Sequence, residues 1–208
     1  MRTRVKMCGF TTVDEAVYAA NLGVDAIGLV FYPPSPRNVS LEQAAKIVAA
    51  LPAFTSVVAL FVDESEARIN QVLNQVTIDC IQFHGQETPD KCRLYDKPYI
   101  KAISMRETTD VNQVTVDYQD ASALLLDAYH PQTKGGIGER FDWDLIPKQA
   151  NLPLILAGGL TPENAQHAIV SVKPYALDVS SGIEIKKGCK ARSKMAAFIR
   201  EVNQGNQT

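Results

Sequence analysis

Eight short runs rich in aliphatic and β-branched residues recur along this chain, at 4–8, 26–31, 56–62, 80–83, 99–103, 123–127, 154–157 and 176–179. Their starts lie roughly 20 to 30 residues apart, the length of a strand, one crossover helix and two short loops. The repeat is therefore βα rather than hairpin. Helix-start signals stand in the gaps: Ser40 before LEQAAKIVAAL, Ser65 before EARINQVLNQV, and Thr161-Pro162-Glu163-Asn164 before AQHAIVSV, with Pro at the first turn. A last helix is expected over 191–202. Near-continuous apolar strands are covered on both faces, which makes the sheet parallel. An open doubly wound sheet uses the same parts. Eight units in 208 residues with no long insertion favour closure, so the expected fold is a single (β/α)8 TIM barrel of eight parallel strands. One domain over 1–208 suffices at this length, and only 205–208 read as frayed.

Composition narrows the partners. A formal charge of −2 with no run of like charges gives no footprint for nucleic acid or an anionic membrane. No apolar run approaches the roughly 20 residues that cross a bilayer. Residues 1–8 alternate charge with other side chains where a signal peptide needs an unbroken apolar stretch. Cys8, Cys80, Cys92 and Cys189 form no CxxC pair and no zinc-type cluster. The reading is a reduced, cytoplasmic protein without metal, a monomer with a homodimer as the alternative.

In a closed βα barrel the active site gathers at the C-terminal strand ends and the loops after them. That rule selects Cys8-Gly9 after the first strand, Arg37 after the second, His84-Gly85 after the fourth and Asp127 at the sixth. After the seventh and eighth it selects Gly158-Gly159 and Ser180-Ser181-Gly182. The glycine turns let bare amides approach an anion, which makes them a phosphate site; taken singly, each is only a tight βα turn. Lys6 and Cys8 share strand parity, so both enter the barrel, and an ammonium one layer below favours a thiolate. The bland alternative is a small buried hydrophobe. Asp127 follows an apolar strand, where lost solvent helps a carboxyl keep its proton; a turn or cap aspartate fits the position equally well. Three prolines stiffen the loop carrying Arg37, as suits a positioned fork for a carboxylate, although most loop arginines are solvated. His84 reads either as a site residue or as a hydrogen-bonded wall. Lys134-Gly135-Gly136-Ile137-Gly138 reads as a loop suited to closing over a substrate.

In order, Lys6-Met7-Cys8-Gly9, Ser35-Pro36-Arg37, Gln82-Phe83-His84-Gly85, Asp127, Gly135-Gly136-Ile137-Gly138, Ala157-Gly158-Gly159-Leu160 and Asp178-Val179-Ser180-Ser181-Gly182-Ile183-Glu184 resemble the phosphoribosylanthranilate isomerase family. The resemblance implies a cofactor-free, metal-free Amadori rearrangement of a small phosphoribosyl substrate in tryptophan synthesis. It implies Asp127 as the acid that protonates the furanose oxygen and Cys8 as the base that removes the proton from sugar carbon 2. Arg37 matches the residue that holds the anthranilate carboxylate, and Gly158, Gly159, Ser180, Ser181 and Gly182 match the phosphate cradle. Asp178 and His84 are expected to contact the substrate or its polar neighbours. Two places depart from the family pattern: Ile137 stands where a hydroxyl residue is usual, and 189–192 replaces a GxKD-like stretch, which leaves loop closure and the last helix start open. The rivals are the related histidine-pathway barrel isomerase, whose acid-base pair resembles two aspartates, and a non-catalytic barrel that binds a phosphorylated ligand.

Overall fold

The computed structural model describes residues 2–128 and 141–207. Strands β1 (Arg4–Cys8), β2 (Ala26–Val30), β3 (Ser56–Phe61), β4 (Cys80–Phe83), β5 (Tyr99–Met105), β6 (Ala123–Ala128), β7 (Leu154–Leu156) and β8 (Ala176–Val179) close into one parallel barrel in sequence order. β1 pairs with β8 in the register Lys6 to Asp178 and with β2 in the register Cys8 to Gly28. The expected strands are all present, three with the expected bounds and the others with one end shifted by one or two residues. β2 stops at Val30 because the arginine loop folds back and the Val39 amide bonds the Val30 carbonyl at 3.0 Å.

Helices α1 (Val13–Asn21), α2 (Leu41–Ala50), α3 (Glu66–Gln75), α4 (Pro89–Cys92), α5 (Val111–Asp117), α6 (Pro162–Val172) and α7 (Arg192–Gly205) surround the strands. Thr12, Ser40, Ser65, Thr88 and Asp110 cap the first five by accepting an amide three residues on, which satisfies one otherwise orphaned donor each. Alternation along the strands makes two apolar shells. Met7, Ile27, Leu29, Ile81 and Phe83 face Ala16, Ile47, Ile69 and Phe198 of the helices. Ile100, Leu125, Ile155 and Ala176 fill the barrel interior. Lys6 and Cys8 lie on the inner face and Val5 and Met7 on the outer, as strand parity requires.

Three features depart from the expected pattern. Among the described residues the connection between β6 and β7 carries only a 3-10 turn, Trp143–Leu145, in place of a crossover helix. A small antiparallel hairpin, β9 (Glu184–Lys186) and β10 (Cys189–Lys190), intervenes between β8 and α7. Gly205 is not frayed: it ends α7, buried, in close contact with Ile169 of α6. A larger side chain there would push the two helices apart. No helix of the described residues is long and apolar enough to cross a membrane.

Candidate active site

The C-terminal ends of the strands bring the sequence-selected side chains to one mouth. Cys8 ends β1, almost fully buried, beside Val30, Leu60 and Val62. Its thiol occupies the space that Gly28 leaves on the neighbouring strand: a Cβ at Gly28 would lie 2.5 Å from Sγ. One layer below, the Lys6 ammonium donates to Asp178 Oδ1 at 2.9 Å, across the β1–β8 seam where the two residues are register partners. Burial works against this ammonium, but Asp178 and Cys8 more than offset it and raise the Lys6 pKa. The expectation that Lys6 makes Cys8 a thiolate is only half met. Burial pushes the thiol up, Lys6 and Lys190 pull it down, and Asp178 pushes it up again, so the net direction is upward.

Asp127 sits one residue inside the end of β6, buried. Its Oδ1 accepts the Ala128 amide at 2.9 Å and its Oδ2 faces His84 Nε2 at 3.2 Å. His84 Nδ1 in turn meets the Gln82 amide nitrogen at 2.9 Å. Gln82 points into the barrel from β4, is wholly buried, and its Oε1 has no partner among the described residues. The turn after His84 is pinned from below. Glu87 Oε2 accepts the Gly85 amide at 2.8 Å and the Lys101 ammonium at 2.9 Å, while its Oε1 accepts the Asp63 amide at 2.7 Å. Lys101 donates a second time, to the Gly85 carbonyl at 2.7 Å. Such a satisfied buried network fixes the backbone that aims the imidazole.

Arg37 is buried rather than solvated. Ser35 Oγ accepts its amide at 3.1 Å, closing a tight turn in the proline-stiffened loop, and the side-chain stem packs on Gly9, whose φ of +86° only glycine adopts readily. Its guanidinium is gripped by Glu184: Nε to Oε1 at 2.7 Å and Nη2 to Oε2 at 2.9 Å. The Nε edge of the fork is therefore engaged within the protein. Burial works against the Glu184 carboxylate, yet the hydrogen bonds from Arg37 and the charge of Lys190 hold it below the ordinary carboxylate range.

The two glycine turns lie side by side. Gly158 and Gly159 have φ of +76° and +64°, and a Cβ at Gly182 would collide with the Leu160 carbonyl, so these turns approach more closely than any side chain allows. Asn164 ties the first turn together, donating to the Gly159 carbonyl and accepting the Thr161 amide, both at 2.9 Å. Ser180 Oγ donates to the Cys8 carbonyl at 3.0 Å, linking the second turn to the end of β1. Ser181–Ile183 form a 3-10 turn. Gln82, Asn164, Glu184 and Lys190 carry no role in the sequence reading, although Gln82 and Glu184 stand in the motifs of the family resemblance, Lys190 in the 189–192 departure, and Asn164 in the helix-start signal after Thr161. The glycine-rich segment 134–138, with Ile137, lies outside the described residues.

A model of the N-(5'-phosphoribosyl)anthranilate isomerase family matches residues 5–201. The chain belongs to this family. It is 53% identical to the N-(5'-phosphoribosyl)anthranilate isomerase of Nitrosococcus oceani over 99% of this chain and 100% of that protein. Identity to the isomerase of Azotobacter vinelandii is 51%, over 96% and 97% of the two chains. Among solved structures, the phosphoribosyl anthranilate isomerase of Thermotoga maritima superposes with a TM-score of 0.87 at 37% identity, over 97% of this chain and 99% of that one. A phosphoribosyl anthranilate isomerase in complex with reduced 1-(o-carboxyphenylamino)-1-deoxyribulose 5-phosphate superposes with a TM-score of 0.86 at 36% identity, over the same shares.

Proposed function

We propose that this chain, as one barrel domain, converts N-(5-phosphoribosyl)anthranilate to 1-(2-carboxyphenylamino)-1-deoxyribulose 5-phosphate, with Asp127 as acid and Cys8 as base. The observation that carries the reading is the placement of a thiol, a histidine-bonded carboxyl and two glycine turns on strand ends of one barrel mouth, in a member of this family. The chemistry balances without an external oxidant. Asp127 gives its proton to the furanose oxygen, the C1–O bond breaks, and the nitrogen lone pair forms the C=N bond. Cys8 then takes the proton from C2 in its thiolate form, which the Lys6 and Lys190 ammoniums favour against the pull of burial, and the resulting enolamine tautomerises to the ketone; C1 is reduced as C2 is oxidised within one molecule.

The remaining assignments support binding. Gly158, Gly159, Ser180, Ser181 and Gly182 hold the phosphate through amides that no side chain obstructs. Arg37, its Nε edge held by Glu184, meets the anthranilate carboxylate. Asp178 keeps Lys6 in place below the base, and His84 braces Asp127. We read the protein as a cytoplasmic monomer: among the described residues the most exposed large apolar side chains, Phe54, Leu94, Val116 and Ile185, belong to different elements and loops. Light scattering on the purified chain checks the monomer.

Turnover of phosphoribosylanthranilate by the purified chain tests the activity. Cys8→Ala and Asp127→Asn should each lower kcat by roughly 100-fold or more, the usual scale for losing an acid or base, while affinity for the reduced product analogue is kept. Near wild-type kcat in Cys8→Ala would return the thiol to a packing role.

A further inference from the structure

Glu184 meets two cations with one carboxylate. Arg37 reaches it from the loop after β2, and Lys190 reaches its Oε1 at 2.9 Å from β10, directly across the hairpin where Lys190 and Glu184 are register partners. Lys190 is itself bonded to the second glycine turn, donating to the Ser180 carbonyl at 3.1 Å, and Ser180 holds the Cys8 carbonyl. The hairpin is anchored at its tip as well: Thr11 donates to the Gly188 carbonyl at 3.1 Å, and Gly188 leaves no room for a Cβ against the Pro36 carbonyl. Lys194 of α7 donates to the Glu184 carbonyl at 2.8 Å. The hairpin thus bridges the arginine loop and the phosphate turn, which are far apart in sequence, and Glu184 is where the bridge becomes ionic.

We propose that Glu184 is a positioning residue that fixes the Arg37 guanidinium and, through Lys190, the Ser180 turn, so that recognition of the substrate's carboxylate and of its phosphate are set by one side chain. The proposal rests on the reading of Arg37 as the carboxylate site. A planar guanidinium gripped on its Nε edge has lost its rotamer freedom before the ligand arrives, so less is lost on binding. A carboxylate that served only to neutralise two buried cations would affect all ligands alike. A positioning carboxylate affects ligands that carry the anthranilate carboxyl more than ligands that lack it.

The experiment measures binding of the reduced product analogue and of its counterpart lacking the ring carboxyl, to wild type, Glu184→Gln, Glu184→Asp and Arg37→Met, with turnover in parallel. In wild type the carboxylated analogue binds more tightly. In Glu184→Gln that preference should shrink at least tenfold, KM should rise at least tenfold and kcat should stay within about threefold. Glu184→Asp, whose shorter carboxylate keeps the charge but cannot span both cations, should lose part of the preference, and it decides the matter if the glutamine variant does not fold. An unchanged preference in the folded glutamate variants overturns the positioning of Arg37, and an unchanged affinity for the analogue lacking the ring carboxyl overturns the link through Lys190 to the Ser180 turn. An unchanged preference in Arg37→Met instead overturns the assignment of Arg37, and with it the carboxylate half of the proposal.

Discussion

The chain from Gln82 to His84 to Asp127 shows how far a single residue's surroundings decide its chemistry. An amide nitrogen can only donate, so Gln82 Nε2, 2.9 Å from His84 Nδ1, leaves that ring nitrogen bare and puts the imidazole proton on Nε2, where it faces Asp127 Oδ2. Nitrogen-15 NMR of His84 at neutral pH should therefore show Nε2 protonated and Nδ1 not. Gln82→Met keeps the shape and removes the donor; the tautomers should then mix and kcat should fall roughly tenfold, the worth of about one hydrogen bond, with KM nearly unchanged. A protonated Nδ1 in the wild-type spectrum would sink the assignment. Cys8, Arg37, His84 and Asp127 were visible in the sequence because the barrel rule points to strand ends. Gln82 and Glu184 stand in the quoted motifs, but their roles were not legible: Gln82 acts through His84 on Asp127, 43 residues further on, and Glu184 acts on Arg37, 147 residues away, and no local pattern encodes such pairs.

Among the elements, those with strong period or caps were legible, and those made by tertiary context were not. Ser40, Ser65 and Thr161 marked real helix starts. The hairpin of Glu184–Lys186 and Cys189–Lys190 is too short to carry a period-two pattern, and it is held instead by Thr11, Pro36 and α7. The 189–192 departure has its consequence here. Ala191 stands at the N-cap of α7 with extended backbone, φ −99° and ψ 115°, and supplies no side-chain cap bond. Its backbone already suits a capping residue, so Ala191→Ser needs only to add the missing oxygen. The expected gain is about 1 kcal/mol, read as a rise in Tm of roughly 2–4 °C for a chain of this size. An unchanged or lowered Tm would mean that the first amides of α7 are already satisfied or that the site has no room for a hydroxyl.

At the scale of the whole molecule, closure of the barrel depends on the seam between its first and last strands, and the two ends of the chain meet there. The count of eight βα units made closure legible, but not what secures the seam, since 205–208 read only as frayed. In the structure β1 and β8 pair over Arg4 to Met7, and α7 runs back across this seam against α1 and α6. The residue that follows the helix, Asn206, then clasps the chain just before β1: its Oδ1 accepts the Thr3 amide at 2.7 Å and its Nδ2 donates to the Thr3 carbonyl at 3.4 Å. Thr3 is buried and also donates through its hydroxyl to the Pro174 carbonyl at 3.3 Å, on the approach to β8. The clasp lies at the N-terminal end of the barrel, opposite the mouth that holds Cys8 and Asp127, where stability rather than chemistry is expected to reside. Asn206→Ala leaves the Thr3 amide without its acceptor, which should cost about 1–3 kcal/mol and lower Tm by roughly 2–4 °C for each kcal/mol lost. Turnover at 25 °C should stay within about twofold of wild type, because the strand ends at the far side are held by their own ladders and by the Lys6–Asp178 pair. An unchanged Tm would show the clasp to be frayed in solution, and a matching fall in kcat would show that the seam transmits its strain to the mouth.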